Sequence, residues 1–370
     1  MSQTLGETTG RPSEAAIVPD LMRAAVLFGP GEIRVVDRPV PRPGPEEVLV
    51  KVAMCGTCGT DLKIVDGHFP QTPPFGEFTP GHEWAGTVVA VGESVDEFVP
   101  GDRVCIEAHR GCGRCDNCLT GHYTACLNYA NRPKGHRATG MTTDGGFAEY
   151  AVHHVSALYH LPPQVSFEDA VLITTAGTGM YGLHAAGGYI AGHDVAVFGP
   201  GPVGLMTLQA CKQMGAARVF LIGTRPSRLA MGRRLGADVI VDVSTADPVQ
   251  AVLERTGGAG VDVAIEASGN AAVPQQCADV TKRAGKIVFV AYYPGVVQLD
   301  LSSIVRKDIC MYTARGEGGN NVKRAVALAA AGKLRGKELV THRFPLHDVA
   351  EAFRVVRERD GDPLKVVVVP

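Results

Sequence analysis

The sequence predicts an α/β fold of two domains, one β-rich and barrel-like, the other a parallel sheet doubly wound by helices. Three observations carry this. Between about residues 22 and 165, short β-type runs at 47–53, 85–91, 103–106 and 147–152 are broken by Gly and Pro. After Phe167, apolar strands alternate with helical segments, as in strands joined by crossover helices. The strand at 195–198 runs into Gly199-Pro-Gly201-Pro202-Val203-Gly204 and then a helix, the context that gives a glycine-rich turn its meaning.

Taken in order, residues 1–21 are polar, lack periodicity and read as a flexible tail before a strand at 23–28. The β domain is expected over 22–165. Helical periodicity opens the second domain near 167–185. A strand at 194–198, a helix at 203–214, a strand at 218–222 and a helix at 227–235 follow. Strands at 239–241, 261–266 and 286–290 extend the sheet, which is expected to end near 305. Helices at 321–331 and 348–358 then precede a strand at 365–369. Its run of valines predicts a return to the first domain over 306–370, which makes the nucleotide-binding part, 166–305, an insertion.

Composition excludes several classes. A chain of 370 residues, 45% hydrophobic and 20% charged, buries ample core without disulfides. Lys+Arg 36 against Asp+Glu 38 leaves no basic excess for nucleic acid, which counts against a zinc-ribbon nucleic-acid binder. No apolar run approaches the roughly 18 residues of a membrane span, and no secretory leader is apparent, so the cytoplasm is the expected compartment. In such a chain ten cysteines point to metal rather than to disulfides. Cys105, Cys211, Cys277 and Cys310 lie in apolar runs and are expected to be small buried hydrophobes.

The remaining cysteines carry chemistry. Cys112, Cys115, Cys118 and Cys126 are spaced x2, x2, x7 within a lobe at 109–128, most simply a closed four-thiolate zinc site. Upstream, Cys58-Gly-Thr60-Asp and Gly-His82-Glu83 supply an incomplete set, as a working metal site requires if it keeps a position for water or substrate. In the nucleotide loop Gly199 permits the tight turn, Gly201 admits the pyrophosphate, and Gly204 allows close helix packing. Pro202 and Val203 complete the loop, and free N–H groups at the helix start bind the anion. The second strand ends Leu221-Ile222-Gly223-Thr224-Arg225-Pro226, with glycine where an acid would accept from the ribose hydroxyls. With Thr224, Arg225 and Arg228 available, NADP is favoured over NAD.

The fixed order of these motifs resembles the medium-chain zinc alcohol dehydrogenases, especially the polyol and threonine dehydrogenase branch, from about residue 22 to the C-terminus. The resemblance implies a GroES-like β-barrel catalytic domain, a Rossmann domain and a cleft between them. It implies a catalytic zinc held by Cys58 and His82 with Glu83 beside it, and one structural zinc in the four-cysteine lobe. Thr60 would bond the substrate oxygen and start a proton relay. The substrate would be a small alcohol or ketone, and the assembly a homodimer or homotetramer.

Two positions depart from the family pattern. The third catalytic ligand of relatives falls in Leu172-Ile173-Thr174-Thr175-Ala176-Gly177, where no good zinc ligand stands. Either Glu83 coordinates directly, or water completes the shell, or the catalytic zinc is weakly held. Lys63 stands where many relatives carry a proton-passing histidine. Cys55 opens a first Cys-Gly-Thr copy and is read as a buried thiol, because only the copy at Cys58 continues into Asp61. His109, His122, His136, His153 and His154 are expected to be solvated or hydrogen-bonded rather than ligands, Trp84 is read equally as pocket or core, and Glu149 is expected to order the β domain. The function implied is reversible oxidation of a secondary alcohol (polyol, sugar or amino alcohol) to a ketone. An NADPH-dependent aldehyde reductase and a catalytically inactive nucleotide-binding sensor or structural protein are the alternatives.

Overall fold

The computed structural model describes residues 18–370. The expected tail therefore lies outside the described residues up to residue 17, and at its end Leu21 already belongs to β1 (Leu21–Gly29). β1 forms an antiparallel hairpin with β2 (Glu32–Pro39). The rest of the β domain comprises β3 (Glu47–Gly56), α1 (Gly59–Val65), β4 (Glu83–Val91), β5 (Arg103–Ile106), β6 (His109–Arg110), α2 (Asp116–Leu119), β7 (Arg137–Ala138), β8 (Tyr150–His154) and β9 (Leu158–His160). β3 is the hub. It pairs antiparallel with both β4 and β8, because residues on both its faces are buried. One core fills the barrel, with Val48, Val50, Val52, Phe78, Val104 and Phe147 among its members.

The second unit follows as α3 (Phe167–Ala170), α4 (Ile173–Ala185), β10 (Asp194–Phe198), α5 (Pro202–Gln213), β11 (Arg218–Gly223), α6 (Pro226–Arg234), β12 (Val239–Asp242), α7 (Pro248–Arg255), β13 (Val261–Glu266), α8 (Val273–Val280), β14 (Thr281–Phe289), α9 (Leu301–Lys307) and β15 (Cys310–Thr313). Its six strands run parallel in the order β12-β11-β10-β13-β14-β15. Strand periodicity splits the apolar side chains between two cores. Val195, Val197, Val219, Leu221 and Ile265 face one layer of helices, and Ala196, Phe198, Phe220, Ile222 and Ala264 face the other. The order reverses between β10 and β13, so the crevice lies where Gly199 follows β10.

The sheet runs past the boundary expected at 305, since β15 pairs with β14. α9 and β15 are short and mostly exposed, so neither carries the apolar periodicity of a buried element. α10 (Asn321–Ala330) packs on the sheet unit's helices, chiefly α4. The chain then forms β16 (Val340–Pro345), α11 (Val349–Glu358) and β17 (Lys365–Val369). β17 pairs antiparallel with β3 at Val367–Gly56 and Val368–Cys55, which sets Lys365 and Val366 beside the loop carrying Cys58. Cys105, Cys211 and Cys277 are buried as expected, but Cys310 is exposed, because β15 is a sheet edge. Among the described residues no helix is long and apolar enough to cross a membrane.

Candidate active site and metal centres

The loop after β3 turns at Cys58, which caps α1 in an extended conformation. Asp61, fully buried, reaches back so that its Oδ2 accepts from the Cys58 N–H at 2.8 Å. Its other oxygen, Oδ1, lies 3.0 Å from His82 Nδ1. One carboxylate thus fixes both the thiol-bearing loop and the imidazole, and leaves Nε2 as the ring nitrogen available to a metal. Burial alone would lower the His82 pKa, but the Asp61 carboxylate outweighs it and holds the imidazole well above its usual range. Metal entry must therefore displace a proton. Gly81 delivers His82 to this place with φ +103, and a Cβ there would lie 2.8 Å from Cys55 Sγ and 2.9 Å from the Phe147 backbone nitrogen.

Donor atoms of Cys58, His82 and Glu83 lie within 4.8 Å of one another. Sulfur, imidazole and carboxylate on one side of a cleft match three protein ligands with a fourth position open. Cys55 is outside the group. Its thiol is fully buried in β3, and burial, followed by Asp61 and Glu83, pushes its pKa well up, so it stays a protonated core thiol. Glu83 Oε1 accepts from Thr175 Oγ1 at 2.9 Å and Oε2 accepts from Lys365 Nζ. Of the two threonines in the third-ligand stretch, Thr175 is thus committed to Glu83, and Thr174 lines the cleft with its buried hydroxyl unpartnered.

The four-cysteine lobe fits a closed zinc site. Cys112 and Cys118 sulfurs are 3.9 Å apart, as are those of Cys115 and Cys126. A tetrahedron with Zn–S of about 2.3 Å requires edges of about 3.8 Å. Donors already surround the sulfurs: Asn128 Nδ2 reaches Cys112 at 3.2 Å, and the N–H groups of Cys112 and Asn128 reach Cys126 at 3.4 and 3.3 Å. Such donors favour thiolates.

The cleft, about 310 Å³, joins the two units. Cys58, Thr60, Lys63, His82 and Glu83 line it from the barrel, and Thr174, Thr175, Val203 and Tyr292 from the sheet unit. Lys63 is exposed, its Nζ 5.3 Å from the centre of the Tyr292 ring. His109 and Glu317 close one wall, both buried and 3.7 Å apart. His109 is neither solvated nor hydrogen-bonded as expected but is buried in the cleft wall, outside the metal donor groups. Neither ring nitrogen has a partner, and burial, with Arg315 adding, pushes its pKa down to about 3. His153 bonds the Glu107 carbonyl, His136 and His154 accept from backbone N–H groups, and His122 is exposed. Trp84 is core, donating to Thr139 Oγ1 at 3.2 Å, and Glu149 accepts from the Arg23 N–H at 2.7 Å.

A second arm of the cleft runs from Cys58 and Lys365 past Pro202 and Val203 to Arg225, Arg228 and Arg359. The loop fits a dinucleotide. A Cβ on Gly204 would lie 1.9 Å from the Gly199 carbonyl, so helix and loop meet there, whereas a Cβ on Gly201 would touch nothing within 4 Å, leaving room for a pyrophosphate. Gly199 itself has φ +102. Gly223 is glycine for a steric reason, since its Cβ would lie 2.3 Å from Pro200 Cδ. Thr224 follows at the tip of β11 and Arg225 caps α6.

This geometry defines a metal-assisted, dinucleotide-dependent oxidoreductase with a working site between two domains. Residues 44–163 match the alcohol dehydrogenase GroES-like domain and residues 202–331 the zinc-binding dehydrogenase family. A sorbitol dehydrogenase of Bacillus subtilis (strain 168) is 32% identical over 95% of this chain and 98% of its own length. An L-threonine 3-dehydrogenase of Pyrococcus furiosus is 34% identical over 87% and 91%. A zinc-binding dehydrogenase of Sinorhizobium meliloti 1021, solved bound to NADP, superposes with TM-score 0.87 at 30% identity, covering 95% of this chain and 100% of that one. The chain belongs to the zinc-dependent medium-chain alcohol dehydrogenase family, in its polyol dehydrogenase-like branch. It is an alcohol dehydrogenase.

Asp61 had no role assigned from sequence, yet it orients both the Cys58 loop and the His82 ring. Asp61→Asn is expected to weaken zinc at the cleft site about 10–100-fold, measured by chelator competition. An amide that donates to Nδ1 holds the proton on Nε2, the wrong tautomer for a ligand. An unchanged zinc affinity would contradict this role.

Proposed function

We propose that the chain interconverts a secondary alcohol of a polyol, sugar or amino alcohol with its ketone, using NADP in preference to NAD. Cys58, His82 and Glu83 hold the catalytic zinc, and Cys112, Cys115, Cys118 and Cys126 the structural one. The observation that carries the substrate class is the wall formed by His109 and Glu317. Both residues line the same cleft as the metal donors, and three of their buried polar atoms, both His109 nitrogens and Glu317 Oε2, lack partners. A plain aliphatic alcohol would leave them unpaired, at a cost of about 1–3 kcal/mol per group, whereas a second hydroxyl or an amine satisfies them. Burial raises the Glu317 pKa to about 7, so near neutrality it can donate as well as accept.

When bound, the zinc supplies Lewis acidity toward the substrate oxygen, which makes alcohol deprotonation accessible near neutral pH. The nicotinamide supplies the hydride acceptor or donor. Thr60 Oγ1 accepts the substrate's hydroxyl proton as its own O–H proton passes to water at the mouth of the cleft, where Lys63 is exposed. Thr174 and Val203 line the cleft on the sheet side, and Thr175 and Lys365 fix the Glu83 carboxylate in place to hold the metal. NADP preference is supported by the barred acid at Gly223 and by Thr224, Arg225 and Arg228 at that end of the cleft. A cytoplasmic homodimer or homotetramer is proposed as the working form, the uncovered edge at β15 offering a surface for pairing. Neither nucleic acid nor membrane is proposed as a partner, given the nearly balanced charge.

The test is initial rates with NADP and NAD against polyol, threonine and aldehyde panels, on the wild type and Glu317→Gln. Polyol oxidation is expected, with KM raised about tenfold in the variant and kcat less affected. Aldehyde reduction without polyol turnover would replace this reading with an aldehyde reductase. Inactivity at two zincs per chain would leave a nucleotide-binding protein.

A further inference from the structure

A carboxylate does stand against Arg225 and Arg228, the arginines lining the second arm of the cleft, but it comes from the far end of the chain. Asp362 lies in the turn between α11 and β17, with φ +52, and bridges from the C-terminal segment to the start of α6. Its Oδ1 accepts from Arg225 Nη1 at 3.1 Å and lies 3.6 Å from Arg228 Nε, and its Oδ2 accepts from Ser227 Oγ. Arg228 Nε is buried without a hydrogen-bond partner, so the cradle is not saturated by the carboxylate it holds. Arg359 lines the same arm of the cleft, which gives three cations to one exposed acid. The neighbouring Asp242, at the tip of β12, is turned instead onto Ser244, with contacts of 2.9 and 2.6 Å.

We propose that Asp362 moderates the cofactor preference of this chain, setting across the domain boundary a carboxylate against the arginines where Pro200 bars an acid from position 223. This rests on reading Arg225 and Arg228 as the cradle for the cofactor's adenosine ribose. With Asp362 in place, Arg225 and Ser227 are already engaged by a negative charge. A 2′-phosphate must displace or repel that carboxylate, whereas a 2′-hydroxyl can donate to it. The hydrogen bond from Ser227, ahead of both arginines, holds the Asp362 carboxyl below the usual carboxylate range, so it is ionised at neutral pH. Its position at the N-terminus of α6 reinforces the negative form. Asp362 therefore moderates NADP preference rather than creating it, and removing its charge should sharpen that preference.

The experiment is calorimetric titration of the zinc-loaded protein with NADP, NAD and adenosine 2′,5′-bisphosphate, which needs no turnover. Asp362→Asn keeps the shape and the accepting oxygen and removes the charge. The ratio of NADP to NAD affinity is expected to rise about tenfold, through tighter NADP and bisphosphate binding with NAD unchanged or weaker. Arg225→Ala should move the ratio the other way. Asp362→Ala is the second variant, and thermal midpoints of both show whether the fold is kept. A ratio that moves less than about twofold in both folded Asp362 variants, or that falls, overturns the proposal. If the wild type itself binds NAD more tightly, the NADP preference is wrong, while the shift in the ratio still decides the role of Asp362.

Discussion

Cys58→Ala is expected to remove one zinc per chain and lower kcat/KM by on the order of 10³-fold or more, with the fold retained. The magnitude follows from the several kcal/mol of charge stabilisation that a Lewis acid gives a developing oxyanion. Retention of the fold follows from position. Cys58 is half-exposed at the cap of a seven-residue helix, and its backbone N–H still donates to Asp61 in the variant. The four-cysteine lobe is separate, so elemental analysis should count one zinc in the variant against the two expected in the wild type. Cys55→Ser is the matched control. It changes a buried thiol outside the donor group and should leave both zincs and most activity, with a modest loss of stability. If Cys58→Ala kept two zincs and activity within about tenfold of the wild type, the assignment of thiolate would pass to Cys55.

What could be read from the sequence follows from the range of the interactions concerned. Strands buried on both faces of the sheet are nearly continuous apolar runs, so 194–198 and 261–266 coincide with β10 and β13. β2, with charged and half-buried residues alternating, and β15, at an exposed edge, carry no such signal and were missed. The same division holds at the site. The four cysteines of the lobe and the Cys58 and His82-Glu83 motifs are local, and spacing found them. Lys365 and Glu317 reach the cleft, and Asp362 reaches the arginines that line it, from the last sixth of the chain, where only the pairing of β17 with β3 and the crossover into α10 bring them near. His109 follows β5 by three residues, yet nothing in its neighbours distinguishes a histidine facing the cleft from a solvated one. Gly223 was legible as a missing acid. That Pro200 enforces the glycine, and that Asp362 approaches instead, required the packed structure.

Lys365→Met tests the most deeply placed of these long-range contacts. Lys365 is 2% exposed and Glu83 4%, and the ammonium bonds Glu83 Oε2 beneath the metal donors. Burial alone would depress the lysine pKa, but Glu83, then Cys58, outweighs it and holds the ammonium charged. Methionine preserves the length and apolar packing of the stem and removes the charge. Glu83 then keeps Thr175 as its one hydrogen-bond donor and is left as a buried carboxylate without its cation. Breaking a buried pair in this way costs about 3–5 kcal/mol. In a chain of 370 residues that is about a 4–6 °C fall in thermal midpoint for the zinc-free protein. A divalent ion held by Cys58, His82 and Glu83 supplies the missing positive charge, so zinc should recover part of the loss. The zinc-dependent rise in midpoint is accordingly expected to be larger in Lys365→Met than in the wild type, read by scanning calorimetry with and without metal. Equal rises in the two proteins would show that Glu83 does not face the metal, and would return the third ligand position to water. A fall of less than about 1 °C without zinc would show that the pair is solvated enough to contribute nothing.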